Sequence, residues 1–136
     1  MKQNFLGQEK NKFLKWSNIF FLVPLIVAIY FNIYWYAIIL FVVFIVSYDF
    51  HFFNEAKEVY YLDVTFSSIL MLSNVILLLG GHFFPPYGIL AILCVFLALL
   101  FYFRRSKHDY YFNHSLWHVF SAGVCLFCLM TFLSVL

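Results

Sequence analysis

Charge is what this chain has least of. Lys and Arg number 8 and Asp and Glu 6 among 136 residues, or 10% of the sequence, where a soluble domain carries roughly 25%. Hydrophobic residues make up 65% and aromatics 24%. So few polar groups cannot cover a globule in water, which excludes a soluble domain and leaves a polytopic membrane protein. The net charge is only +2, so no basic field for a nucleic-acid partner exists. Cysteine is scarce as well. Cys94, Cys125 and Cys128 all lie inside apolar runs, which gives no disulfide framework. Cys125 and Cys128 form a C-x-x-C, but redox or zinc chemistry wants such a pair near water. With Leu126 and Phe127 between them they read as packing residues. No small-residue cleavage site follows the first apolar run, so the N-terminus is not expected to be a cleavable signal. No internal repeat is present.

What the chain does have is long hydrocarbon stretches, punctuated sparingly. Residues 1–15 carry Lys2, Lys10, Lys12 and Lys15 and read as a basic arm, followed by an interfacial Trp16. Ser17 to Phe50 is almost uninterrupted apolar sequence. As one helix it would reach roughly 50 Å, against a hydrocarbon core about 30 Å thick. Asn32, beside Tyr34 and Trp35, offers an interfacial turn, which gives two spans, Trp16–Phe31 and Ile33–Phe50, with Pro24 a kink in the first. A polar loop, His51–Tyr61, precedes a third span, Leu62–Leu79. Gly80–Pro86 is a turn, and its prolines suit the start of a fourth span, Tyr87–Phe103. A basic loop, Arg104–Tyr111, leads to a fifth span, from about Asn113 to Leu136. The expectation is an all-α, single transmembrane helical domain over 16–136. With five spans and the N-terminus cytoplasmic, every Lys and Arg falls on one side, as the positive-inside rule asks.

Ionisable groups in or at the edge of a span are costly and mark candidate sites. Ser47 and His51 end the second span, Asp63 sits in the first turn of the third, and His114 and His118 open the fifth. Alternation of spans puts all of them at one membrane face. Residues four apart share a helix face, so Ser47 pairs with His51 and His114 with His118. Three imidazoles from two helices, with an aspartate from a third, make a zinc site with a position left for water. Taken singly, each piece has a plainer reading. His51 can be an interfacial histidine, Asp63 an anion complementing its helix dipole, and the His-x3-His pair solvated side chains. Asp49 points to another helix face than His51. His82 falls on the opposite side as a loop residue, and His108 and Asp109 belong to the solvated basic loop. Ser67, Ser68, Ser73 and Asn74 form a polar stripe suited to joining helices.

Ser47-x3-His51, then Asp63, then His114-x3-His118 opening the last span resembles the membrane hydrolase superfamily of alkaline ceramidases, adiponectin and progestin receptors and myomaker-like proteins. The HSLWH wording, His114–His118, looks closest to the myomaker-like branch. The resemblance covers Val46 to Ala122 and rests on five residues. It implies that His51, His114 and His118 hold Zn2+ near the cytoplasmic face, while Ser47 and Asp63 take water-holding, catalytic roles. It implies a ceramide-like lipid amide as substrate. The family has seven spans against the five counted here; a homo-oligomer is one way to supply the missing wall. Two other readings stay open: a non-enzymatic scaffold or membrane-remodelling protein with structural zinc, and a haem carrier. The second is weakened because all candidate histidines except His82 lie on one side.

Overall fold

The computed structural model describes residues 12–52, 56–104 and 109–136, and these are helical apart from short turns. Five helices are long and apolar enough to cross a membrane: α1 (Lys12–Tyr30), α2 (Tyr34–Phe52), α3 (Lys57–Gly80), α4 (Tyr87–Arg104) and α5 (Tyr110–Leu133). In hydrocarbon no water can satisfy the backbone, so a span must bond its own peptide groups, and helices do this. Large apolar side chains also cover the outside, with Ile26, Phe96 and Leu72 all more than 60% exposed. Such a surface suits lipid rather than water.

Local sequence chemistry sets the breaks. Asn32 has φ 61°, a left-handed conformation that asparagine tolerates better than most residues. Around it Asn32 N–H donates to Ile29 O at 3.1 Å and Ile33 N–H to Ala28 O at 2.8 Å. This paired closure of a helix C-terminus satisfies carbonyls that would otherwise be orphaned. α3 ends the same way. His82 has φ 51°, and the N–H groups of His82 and Phe83 bond Leu79 O and Leu78 O at 3.0 and 3.1 Å. His82 is therefore a helix terminator in a turn.

Several boundaries differ from the sequence expectation. Lys12–Lys15 belongs to α1 rather than to an arm, and Leu14 is buried; residues 1–11 lie outside the described residues. α2 continues through His51, and α3 begins at Lys57 rather than Leu62. Asp63 is thus the seventh residue of its helix, not a first-turn residue, and complementing the helix dipole no longer explains it, since that effect fades within the first turn.

α1 is not uniform. Asn18–Phe21 winds as a 3-10 helix, and regular α-helix resumes over Leu22–Tyr30. Pro24 supplies the cause: it has no N–H to give and its ring crowds the carbonyl four residues earlier, that of Phe20. The chain tightens just upstream, and proline then sits in the first turn of the resumed α-helix, where it fits.

α1, α2, α3 and α5 form a ring in that order, closed by α5 against α1, while α4 lies outside it against α5. Mid-ring, fully buried Tyr36 donates to Asn74 Oδ1 at 2.5 Å and lies 3.3 Å from Cys125 O; Asn74 Nδ2 lies 3.4 Å from Cys125 Sγ. Of the expected polar stripe on α3, Asn74 joins helices in this way. Ser68 and Ser73 instead bond the carbonyls of Val64 and Ile69 on their own helix. All three cysteines are free thiols, Cys125 and Cys128 buried and Cys94 half-buried.

Candidate metal centre

One end of the ring gathers the ionisable groups. His51 comes from the last turn of α2, while His114 and His118 lie one turn apart on α5. One ring nitrogen from each can be chosen so that all three lie within 4.8 Å of one another. The rings sit at centroid distances of 5.1 Å (His51–His114), 5.1 Å (His51–His118) and 4.7 Å (His114–His118). Their spacing along α5 explains the last contact, since residues four apart stack on one face. The rings are well enclosed: His114 is 5% and His118 4% exposed. Trp117 stands edge-on to His114 at 5.0 Å, Tyr110 lies 5.3 Å from it, and Phe21 of α1 is edge-on to His118 at 6.3 Å.

Ser47 and Asp63 meet beside this cluster. The Ser47 side chain interacts with the Asp63 carboxyl and also reaches Asn18 Oδ1, at 3.2 Å. Its hydroxyl therefore has one proton and two acceptors. Asn18 in turn receives a hydrogen bond from His118 Nδ1. That bond has a chemical consequence. A neutral imidazole carries a proton on one nitrogen only, so Nδ1–H leaves Nε2 as a lone-pair donor. Histidines that bind metals use this arrangement, with a carbonyl or carboxylate holding the other ring nitrogen.

The residues fit a metal ion on a second count. His51 Nε2, Asp63 Oδ1 and Asn18 Nδ2 are all buried and have no hydrogen-bond partner. A buried polar atom left unpaired costs about 1–3 kcal/mol, so three such atoms, on residues linked to the histidine cluster directly or through Ser47, leave room for a ligand to offset that cost. A cation and a water would satisfy the imidazole nitrogen, the carboxylate oxygen and the amide N–H together. Imidazole nitrogens suit zinc, copper, iron and nickel, and three of them with an open position are a common catalytic zinc set.

Of the five residues singled out in the sequence, His51, His114 and His118 form one cluster, and Ser47 contacts both Asp63 and the Asn18 that holds His118. Asn18, on α1, makes a fourth helix part of the site, and the sequence reading does not single it out. A signal for it was available. It is an amide at the start of an apolar span, and the alternation of spans places it at the same end as His51, Asp63 and His114. Asp49 does not join the cluster. It lines a cleft of about 300 Å³ with Ile45, Val46, Tyr48, Val59 and Leu62, on a different face of α2 from Ser47. His108 lies outside the described residues. No family model, characterised protein or solved structure matches the chain, so its reading rests on this geometry.

Proposed function

We propose that this chain is a zinc-dependent membrane hydrolase that cleaves the amide bond of a ceramide-like lipid at the cytoplasmic end of its helices. The observation that supports it best is the ligand set. Three histidine nitrogens can converge, while the nearby carboxylate keeps a buried oxygen unpaired. A structural zinc site is closed by four protein ligands, whereas a catalytic one has three and leaves room for water. His51, His114 and His118 would hold the ion. Zinc there supplies Lewis acidity, worth several kcal/mol at a developing negative charge, and lowers the pKa of water from about 15.7 toward 7.

The protein's own groups do the rest. Asp63 Oδ1 accepts the proton of the attacking water and returns it to the leaving amine nitrogen. Ser47 steadies that carboxyl by donating to it, and Asn18 holds His118 in the tautomer that presents Nε2. The aromatic wall of Phe21, Tyr110 and Trp117 keeps bulk water away, which strengthens each of these interactions.

A second reading, a non-enzymatic membrane scaffold with structural zinc, draws on burial. His114 and His118 are almost fully enclosed, and the cleft beside Asp49 opens on another face of α2. One variant separates the two. Asp63→Asn keeps size and hydrogen bonding but cannot take up a proton. In a hydrolase it retains zinc and loses hydrolysis of a fluorescent ceramide by on the order of a hundred- to ten-thousand-fold. In a closed structural site it loses zinc and stability. Purified wild-type protein that holds zinc and leaves lipid amides intact would overturn the hydrolase reading.

A further inference from the structure

We infer that Asn18 is the positioning residue of this centre: its carboxamide oxygen fixes the tautomer of His118, and its N–H is kept for an oxygen-bearing ligand. The purpose of that arrangement rests on the metal reading above, but the tautomer itself does not.

Three observations carry it. Asn18 is completely buried. Its Oδ1 receives His118 Nδ1 and lies 3.2 Å from the Ser47 hydroxyl, whose one proton it shares with the Asp63 carboxyl; a carbonyl oxygen has two lone pairs and has room for both contacts. Its Nδ2 is buried with no partner. Reversing the amide would place N–H groups against His118 Nδ1. The ring would then have to accept there and carry its proton on Nε2, which would spoil that nitrogen as a ligand. The amide orientation and the ligand set therefore specify each other.

Helix packing alone explains this poorly. A residue serving only to join α1, α2 and α5 has no need of a second, unpaired amide hydrogen-bonding group in a buried place. Asparagine offers both an acceptor for the histidine and a buried donor left unpartnered, as Asp63 Oδ1 and His51 Nε2 are left unpartnered. A ligand oxygen there, from water or from a hydroxamate or carboxyl group, would complete the donor. The local backbone belongs to the same arrangement, since Asn18 begins the 3-10 turn that Pro24 imposes on α1.

The test begins without metal. In 15N-histidine-labelled, zinc-free protein in lipid nanodiscs, NMR should place the His118 proton on Nδ1. A native His118 protonated on Nε2 overturns the inference, whatever any variant does. Asn18→Leu, close in size but with neither acceptor nor donor, should shift the proton to Nε2 and weaken zinc binding ten- to a hundred-fold, the usual loss when such a partner is removed. A folded Asn18→Leu that keeps both the tautomer and wild-type zinc affinity also overturns it. Asn18→Asp restores the acceptor alone, so it should rescue tautomer and zinc affinity. In the zinc-loaded protein it should bind acetohydroxamate at least ten-fold more weakly than wild type; equal binding removes the donor role. If wild-type protein takes up no zinc, the proposed function fails, and the His118 tautomer still decides the role of Asn18.

Discussion

Replacing His51 with alanine should uncouple zinc from the stability of the bundle. His51 is the one imidazole that α2 contributes; the other two are both on α5. α2 and α5 are not neighbours in the ring and pack mainly through α1 and α3. An ion held by all three rings therefore ties together two helices that otherwise have little direct contact. At a hundred times its dissociation constant, zinc stabilises the folded protein by about 2.7 kcal/mol. At roughly 4 °C per kcal/mol for a chain of this length, that raises Tm by about 10 °C. In His51→Ala the remaining pair lies on a single helix and spans nothing, so the rise should fall to within about 3 °C at the same zinc concentration. Tryptophan fluorescence is a convenient probe, because Trp117 stands 5.0 Å from His114. The quantity to compare is the zinc-induced increment for each protein, since removing a ring changes the metal-free Tm as well. The increment should also shrink as pH falls, because protons compete for the same nitrogens and only neutral imidazole binds. A full increment in His51→Ala, or none in the wild type, would refute the reasoning.

The remaining predictions concern the frame around the site. Cysteines introduced at Glu58 and His82, at opposite ends of α3 and both exposed, should react with an impermeant maleimide from opposite sides of the membrane; labelling of both from one side would contradict a spanning α3. A Cβ on Gly81 would lie 2.6 Å from the backbone carbonyl of Thr131, so Gly81→Ala must push α3 and α5 apart and should cost about 1–3 kcal/mol or more. Because that contact is at the far end from Asp63, the zinc increment should survive; an unchanged metal-free Tm would show that the helices separate without cost.

The spans and their meeting point were legible because they depend on coarse properties. Hydropathy and length count helices, and a break at Asn32 follows from its neighbours and from the left-handed conformation it tolerates. Convergence of His51, Asp63, His114 and His118 then needs only the parity of the spans and a four-residue spacing. Features set by packing were not legible. Lys12–Lys15 looks like a polar arm until Leu14 is seen buried against the bundle. Asp63 resembles a first-turn anion because charges at Lys57 and Glu58 suggest a loop, yet a helix can run past its lipid boundary into water with its backbone satisfied. Ser68 and Ser73 on α3 look like bridges to other helices, but a serine hydroxyl four residues beyond a carbonyl finds that nearer partner first. Asn18 was hidden for a different reason. Its importance lies in what its oxygen does to His118, far along the chain on α5, and no spacing rule links the two.

The proposed hydrolase reading raises the question of what five helices suffice to do. The proposed metal binding asks for only four of the five helices. Asn18, Ser47, His51, Asp63, His114 and His118 come from α1, α2, α3 and α5, and these four already close into a ring. α4 contributes none of these residues and packs outside. The three histidines that could hold a metal, Asn18 and the nearby carboxylate therefore all come from one chain. Substrate enclosure is another matter, because a lipid chain needs a wall beside the site, and a second copy of the chain could supply one. Binding of zinc and turnover of lipid consequently make separate demands on this architecture. Zinc retained by Asp63→Asn with turnover lost would identify a working hydrolase. Zinc held by wild type but lost together with stability in Asp63→Asn, with no turnover in either, would instead identify a closed metal clasp between α2, α3 and α5 that holds the bundle together.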